Sequence, residues 1–287
     1  MTELLALGSA VCYGSADFFG GLTARRVSTI ATVVVTQFVG LVLLLMALPF
    51  LPAAVVSPQD WLWGIAAGLS GGVGVALLYR ALAVGTMAVV APITAVCAAI
   101  IPVLFAFAMG ERLRLLTTMG IALALVAIAL VSQQPTPPDP AESRRTKRAL
   151  PPGVLLALLA GVAVGIFFLS LARTKSAAGM WPLIAARLTS VTLFGLMALA
   201  TGRTLRMSTR ATGTAVAGGT LDMLANALYM IAARIGPLSI VVTLASLYPA
   251  STVILARLLL GERLSFVQVT GIACALVAVL IIVGTSG

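Results

Sequence analysis

The chain has 287 residues, of which 61% are hydrophobic and 9% charged, against about a quarter charged in soluble domains. So much apolar sequence cannot be hidden inside a soluble fold, so the composition excludes a water-soluble globular protein and points to a polytopic helical membrane protein. The net charge of +10 does not indicate a nucleic-acid partner, because most of the 18 basic residues fall between or at the ends of apolar runs, where membrane proteins place them.

Apolar runs long enough for a hydrocarbon core of about 30 Å recur down the chain. The first half predicts five spans, at Leu4–Ala24, Ile30–Phe50, Trp61–Val84, Ala88–Met109 and Leu115–Val131. The N-terminus has no basic leader region and no convincing cleavage site, so the first run reads as a retained span rather than a signal peptide. A Pro-rich stretch, Gln133 to Pro140, and the basic run Arg144 to Arg148 then read as a flexible linker, since neither buries enough apolar surface to offset the entropy of ordering. Five more spans follow, at Gly153–Ala172, Met180–Thr201, Thr212–Arg234, Leu238–Leu260 and Phe266–Gly284. Cys12, Cys97 and Cys274 are isolated within apolar runs and form neither a ligand cluster nor a disulfide framework.

The two halves are copies. Adding 151 to each number carries Gly110-Glu111-Arg112-Leu113 onto Gly261-Glu262-Arg263-Leu264, and 11 of the 18 residues from 110 to 127 are identical in the copy. The same ungapped shift pairs Gly14 with Gly165, Gly68 with Gly219 and Gly85 with Gly236. A duplication of this length is an architectural unit. An odd number of spans returns each half on the opposite side, so the copies are expected in inverted orientation, the arrangement recurrent in secondary transporters. The expected fold is an all-α membrane protein of ten transmembrane helices in two five-helix inverted repeats, residues 1–132 and 153–287, joined by a linker over 133–152. Ten spans put both termini on one side. Loops on the opposite side carry ten basic residues against five, which by the positive-inside rule places the termini outside.

Several short motifs sit on this frame: Tyr13-Gly14-Ser15 in the first span, Ala81-Leu82 before Gly85, Tyr248-Pro249 in the ninth, and the two Gly-Glu-Arg-Leu turns. Together with the five-plus-five plan they resemble the EamA-type members of the drug/metabolite transporter superfamily. The resemblance implies a permease or exporter of amino acids or other small metabolites, without a prosthetic group, in the cell membrane. It also implies cytoplasmic termini, against the charge count. Two departures from the family pattern are visible. Ala98 stands where the first copy would carry the proline matching Pro249, and Thr36 followed by Gln37 occupies the place of an arginine partner for Arg187.

Charges inside a bilayer are costly and mark candidate sites. Three sit well within predicted spans: Asp17, Arg187 and Asp222. Asn226 is one helical turn beyond Asp222, and Tyr229 lies near the same face. Arg187 and Asp222 fall at similar depths, so two readings stand: a structural ion pair, or separate contacts to a substrate carboxylate and to an ammonium group or coupling proton. A zwitterion such as an amino acid suits the second reading; free Asp17 and Asp222 would suit a proton-coupled exporter of cationic drugs. Pro92, Pro102 and Pro249 each remove a helix hydrogen bond and are candidate kinks in the fourth and ninth spans. Arg80, Arg234 and Arg257, near span ends, are expected to snorkel to the interface. Gly64, Gly68 and Gly72 form a small-residue ridge for close helix packing.

An intramembrane enzyme is the rival from another class, because Gly68-Leu69-Ser70-Gly71-Gly72 matches the Gly-x-Ser-x-Gly pattern of serine hydrolases. A nucleophilic serine needs a base, yet the chain has no histidine and its two lysines, Lys147 and Lys175, lie outside the spans. The missing histidine also argues against His-ligated metal or haem, and no Walker-type phosphate loop is present. The expected partners are thus a small-molecule substrate, the lipid bilayer and a proton as coupling ion. No catalytic residue, metal or cofactor is expected.

Overall fold

The computed structural model describes residues 1–84, 87–131, 153–260 and 265–285; the linker, Gly85 and the second Gly-Glu-Arg-Leu turn lie outside them. Among the described residues the regular structure is all helix. The first half forms α1 (Thr2–Ala24), α2 (Thr29–Ala47), α3 (Pro58–Val84), α4 (Met87–Ala108) and α5 (Leu115–Val131). The second forms α6 (Val154–Ala172), α7 (Trp181–Ala200), α8 (Thr209–Ile235), α9 (Leu238–Ala245), α10 (Tyr248–Leu260) and α11 (Phe266–Thr285). Six stretches are long and apolar enough to cross a membrane: Thr29–Phe50, Pro58–Val84, Val154–Ala172, Trp181–Ala200, Thr209–Ile235 and Leu238–Leu259.

The helices start where the local chemistry provides a cap. Ser28 and Ser208 each accept from the backbone N–H three residues on, at 3.2 and 3.3 Å, opening α2 and α8. Ser57 opens α3 with a reciprocal arrangement, its hydroxyl meeting the Asp60 N–H while the Asp60 carboxylate returns to the Ser57 N–H.

The halves do not fold as separate bundles. Each helix of the first repeat packs mainly on helices of the second: α1 on α8, α9 and α10, α3 on α6 and α7, α4 on α6, α2 on α7 and α8, and α5 on α11. The 151-residue shift maps this pattern onto itself, α1–α8 onto α6–α3 and α2–α8 onto α7–α3, as a two-fold relation requires. Glycines make the seams. A Cβ on Gly68 would stand 2.4 Å from the Ala186 carbonyl of α7, and one on its copy Gly219 would stand 2.5 Å from the Thr36 carbonyl of α2. Contact registers fix the directions: α1 runs antiparallel to α8, through Ser9–Ala225 and Thr23–Thr214, and α6 antiparallel to α3, through Val164–Gly74 and Phe167–Gly71. One end of the molecule, here the terminal end, holds Met1 and the loops after α2, α4, α6 and α8. The other, the linker end, holds the loops after α1 and α7 and the ends of the chain flanking the linker.

The ninth span is interrupted at its candidate kink, Pro249. It breaks into α9 and α10 at Ser246–Leu247. Pro249 has no N–H to offer the Ala245 carbonyl, and the Ala250 N–H turns to Leu247 at 3.0 Å instead of Ser246. In contrast α4 stays helical through Pro92 and Pro102, where expected kinks produce no interruption. Losing one donor is tolerated there because the remaining ladder persists on both sides.

Candidate functional site

A cavity lies between the repeats, walled by α1, α2, α3, α6, α7, α8 and the start of α10. Its polar wall is built from α1, α2, α7 and α8. Arg187 of α7 donates from Nη2 to Asp222 Oδ2 of α8 at 2.6 Å, and from Nη1 to Gln37 Oε1 of α2. Ser190, one turn along α7, also donates to Gln37 Oε1, at 3.2 Å. Asn226 donates to the Asp222 carbonyl at 2.6 Å and accepts from the Tyr13 hydroxyl at 2.8 Å. The pair is largely desolvated, with side chains 6% and 13% exposed. The guanidinium therefore has its charge neutralised and both ends of its fork occupied.

Asp17 of α1 is different. It also lines the cavity, and among the described residues its carboxylate has no hydrogen-bond or ion partner. With all three groups ionised the cavity carries one unbalanced negative charge, and it belongs to Asp17. Aromatic rings stand nearby: Tyr13 packs edge-on to Phe168 at 5.7 Å and to Tyr248 at 6.4 Å between ring centres. All three rings line the cavity.

The apolar wall is related to the polar one by the repeat. The 151-residue shift carries Asp17 onto Phe168, Asp222 onto Gly71 and Asn226 onto Val75, and all six line the cavity. A two-fold scaffold thus encloses a space that is charged on one side and apolar on the other.

The structure brings four of the residues expected from sequence, Asp17, Arg187, Asp222 and Asn226, into one cavity wall. Tyr229 is not part of it; fully buried, it donates its hydroxyl to the Phe168 carbonyl at 2.9 Å and backs that ring at 4.5 Å between centres. Pro102 and Pro249 do not line it either, although Tyr248, beside Pro249 at the helix break, does; the side chain of Pro92 lies outside the described residues. In the sequence Gln37 stands out only, with Thr36, as occupying the place where a second arginine is expected, and Ser190 gives no signal, because uncharged polar groups are common in spans. Arg234 also departs from expectation. It turns inward, donating to the Gly179 carbonyl at 2.8 Å and to Thr174 Oγ1 at 3.0 Å, instead of snorkelling to the interface. Ser70 donates back to the Ala66 carbonyl at 2.7 Å, a helix-internal bond with no base beside it.

An all-helical bundle folded from two interleaved copies, with apolar spans and a central half-charged cavity, defines a duplicated membrane protein of transporter type. The EamA-like transporter family matches residues 1–133 and again 151–284, and the chain belongs to that family. A solved crystal structure of a protein 17% identical in sequence shares the fold, with a TM-score of 0.76 over 99% of this chain and 97% of that one. No curated protein matches the sequence.

Proposed function

We propose that this protein is a secondary active transporter of the cell membrane. Ten spans in two inverted repeats, residues 1–132 and 153–287, carry a small polar metabolite bearing an ammonium group by alternating access. The observation that carries this reading is the unpartnered Asp17 carboxylate in a cavity whose arginine is already paired. A free carboxylate beside aromatic rings suits a cationic head, by charge and by cation–π attraction. The apolar wall of Phe168, Gly71 and Val75 suits an apolar body opposite it. A proton competes with the ammonium group for the same carboxylate, which supplies coupling without ATP.

Ligand-induced thermal shift on purified protein, with primary amines, amino acids and carboxylates of matched apolar body, tests the substrate class. Amines are expected to stabilise the wild type and not Asp17→Asn, while simple carboxylates do nothing. Stabilisation by carboxylates alone would refute the assignment. Amino acids binding more tightly than the matched amines would show that Arg187 exchanges Asp222 for the substrate carboxylate.

A further inference from the structure

Polar contacts join the repeats toward the linker end, at Thr23–Thr214 and Thr94–Ala157, and at the terminal end they tie loop to loop. Asp60, 1% exposed, accepts from the Lys175 backbone N–H at 2.9 Å with one oxygen and from Ser57 Oγ at 2.6 Å with the other. The Val55 N–H donates to the Ala177 carbonyl at 2.9 Å, and Trp61 packs edge-on to Trp181 at 5.8 Å. Arg234 grips the same α6–α7 loop from α8, through Gly179 and Thr174. The loop before α3 is thereby bound to the loop after α6. The cavity is lined from both halves of the bundle, by Asp17, Val75 and Leu78 toward the linker end and by Gly68, Phe168 and Leu183 toward the terminal end.

The repeat shows what the opposite closure would bring together. The 151-residue shift carries the loop before α3 onto the loop before α8, and the loop after α6 back onto the loop after α1. Ser57 maps onto Ser208, and the helix cap is kept. The latch is not kept, because Asp60 maps onto Ala211 and Arg234 onto Ala83. The backbone pair Val55–Ala177 maps onto Arg206 and Arg26. Closing the linker end by the same geometry therefore sets two arginines side by side, with Arg25, Arg203 and Arg210 close by in sequence. All five are exposed, and no acid lies on either loop.

We infer that the two gates of this transporter are deliberately unequal: an Asp60 latch favours closure at the terminal end, and Arg26–Arg206 repulsion opposes closure at the linker end. The inference rests on the alternating-access reading. Its consequence is a resting state with the cavity facing the linker end, and a conformational equilibrium that ionic strength shifts. Exposed like charges interact over a Debye length that shrinks from about 30 Å at 0.01 M salt to about 3 Å at 1 M.

Spin-label distances on the full chain in lipid vesicles test it, in a background with Cys12, Cys97 and Cys274 replaced by alanine. Labels at Ala53→Cys with Ser176→Cys report the terminal end, and labels at Val27→Cys with Thr204→Cys report the linker end. Arg206→Glu turns repulsion from Arg26 into attraction, and each exposed contact is worth a factor of a few. The closed fraction at the linker end is therefore expected to rise about tenfold relative to the open one. Arg206→Lys keeps the charge and should keep the distribution of wild type. Salt should raise linker-end closure in wild type and raise it less in Arg206→Glu. Both substitutions are on an exposed loop, so the test does not depend on a buried variant folding; Asp60→Asn should add to the Arg206→Glu shift. An unchanged distribution in Arg206→Glu, the same rise in Arg206→Lys, or an equal salt effect in wild type and Arg206→Glu would overturn the inference. Loss of the gating asymmetry with amine binding to Asp17 intact would leave the transporter reading standing. Distances fixed at both ends in every variant, with and without a binding amine, would remove alternating access itself.

Discussion

Replacing Arg187 and Asp222 singly and together separates a structural ion pair from two independent ligand contacts. Their side chains are 6% and 13% exposed and 2.6 Å apart, so both charges are mostly desolvated and depend on each other. Stranding one charge of a buried pair costs about 3–5 kcal/mol. Here Gln37 still accepts from Arg187 when Asp222 is removed, and cavity water reaches Asp222 when Arg187 is removed. Asp222→Leu and Arg187→Leu are therefore expected at or just below the lower end of that range, about 2–3 kcal/mol each. The double variant strands neither charge, so it should cost no more than one single variant, giving a coupling energy of about 2 kcal/mol. Unfolding of the four proteins in detergent micelles measures the cycle. Additive losses, with coupling under about 0.5 kcal/mol, would refute the pair and return Arg187 to the substrate as a free cation.

Two further outcomes probe the scaffold. Tyr229→Phe removes a buried hydrogen bond to the Phe168 carbonyl, which keeps its helix partner, and should cost about 0.5–1.5 kcal/mol of stability. Amine affinity should not change, because Tyr229 lies behind the cavity wall; a matched loss of affinity in the thermal-shift titration would place it in the site. Gly219→Ala puts a Cβ 2.5 Å from the Thr36 carbonyl and should destabilise by about 1–3 kcal/mol as α2 and α8 are forced apart. Gly195→Ala on α7 meets nothing within 4 Å and should stabilise by about 0.5–1 kcal/mol, and equal effects of the two changes would contradict the interleaved packing.

The helices were legible in the sequence because a span must be long and apolar wherever it sits, and the expected boundaries differ from the observed ones by only a few residues at most helix ends. The break in the ninth span was half legible. Pro249 marks it, but Pro92 and Pro102 carry the same chemistry and leave α4 intact, so proline identity alone does not decide. The charged part of the site was legible for the reason that charge in an apolar run is expensive. Its partners were not: under the repeat Arg187 aligns with Thr36, yet the residue that meets it is Gln37, one position on, which only the packing of α2 against α7 reveals. Tyr229 misled in the opposite sense. It shares a helix face with Asn226, but α6 covers that position, and its hydroxyl goes to a backbone carbonyl.

Duplication explains why the chemistry sits where the copies differ. Two identical halves about a two-fold axis would present the central space with equal walls, and a ligand with a head and a body would find no preferred orientation. Here Asp17 faces its own counterpart Phe168, and Asp222 and Asn226 face Gly71 and Val75, across one cavity. The symmetric residues, Gly14 with Gly165 and Gly68 with Gly219, keep the helices in close contact. On the proposed transporter reading, each change away from symmetry adds a directional element: a charge for the head, a ring for the body, and at the surface a latch at one end against arginines at the other. The shared half of the duplication would then supply the two shapes that exchange, and the diverged half would determine what is held between them and which shape prevails at rest.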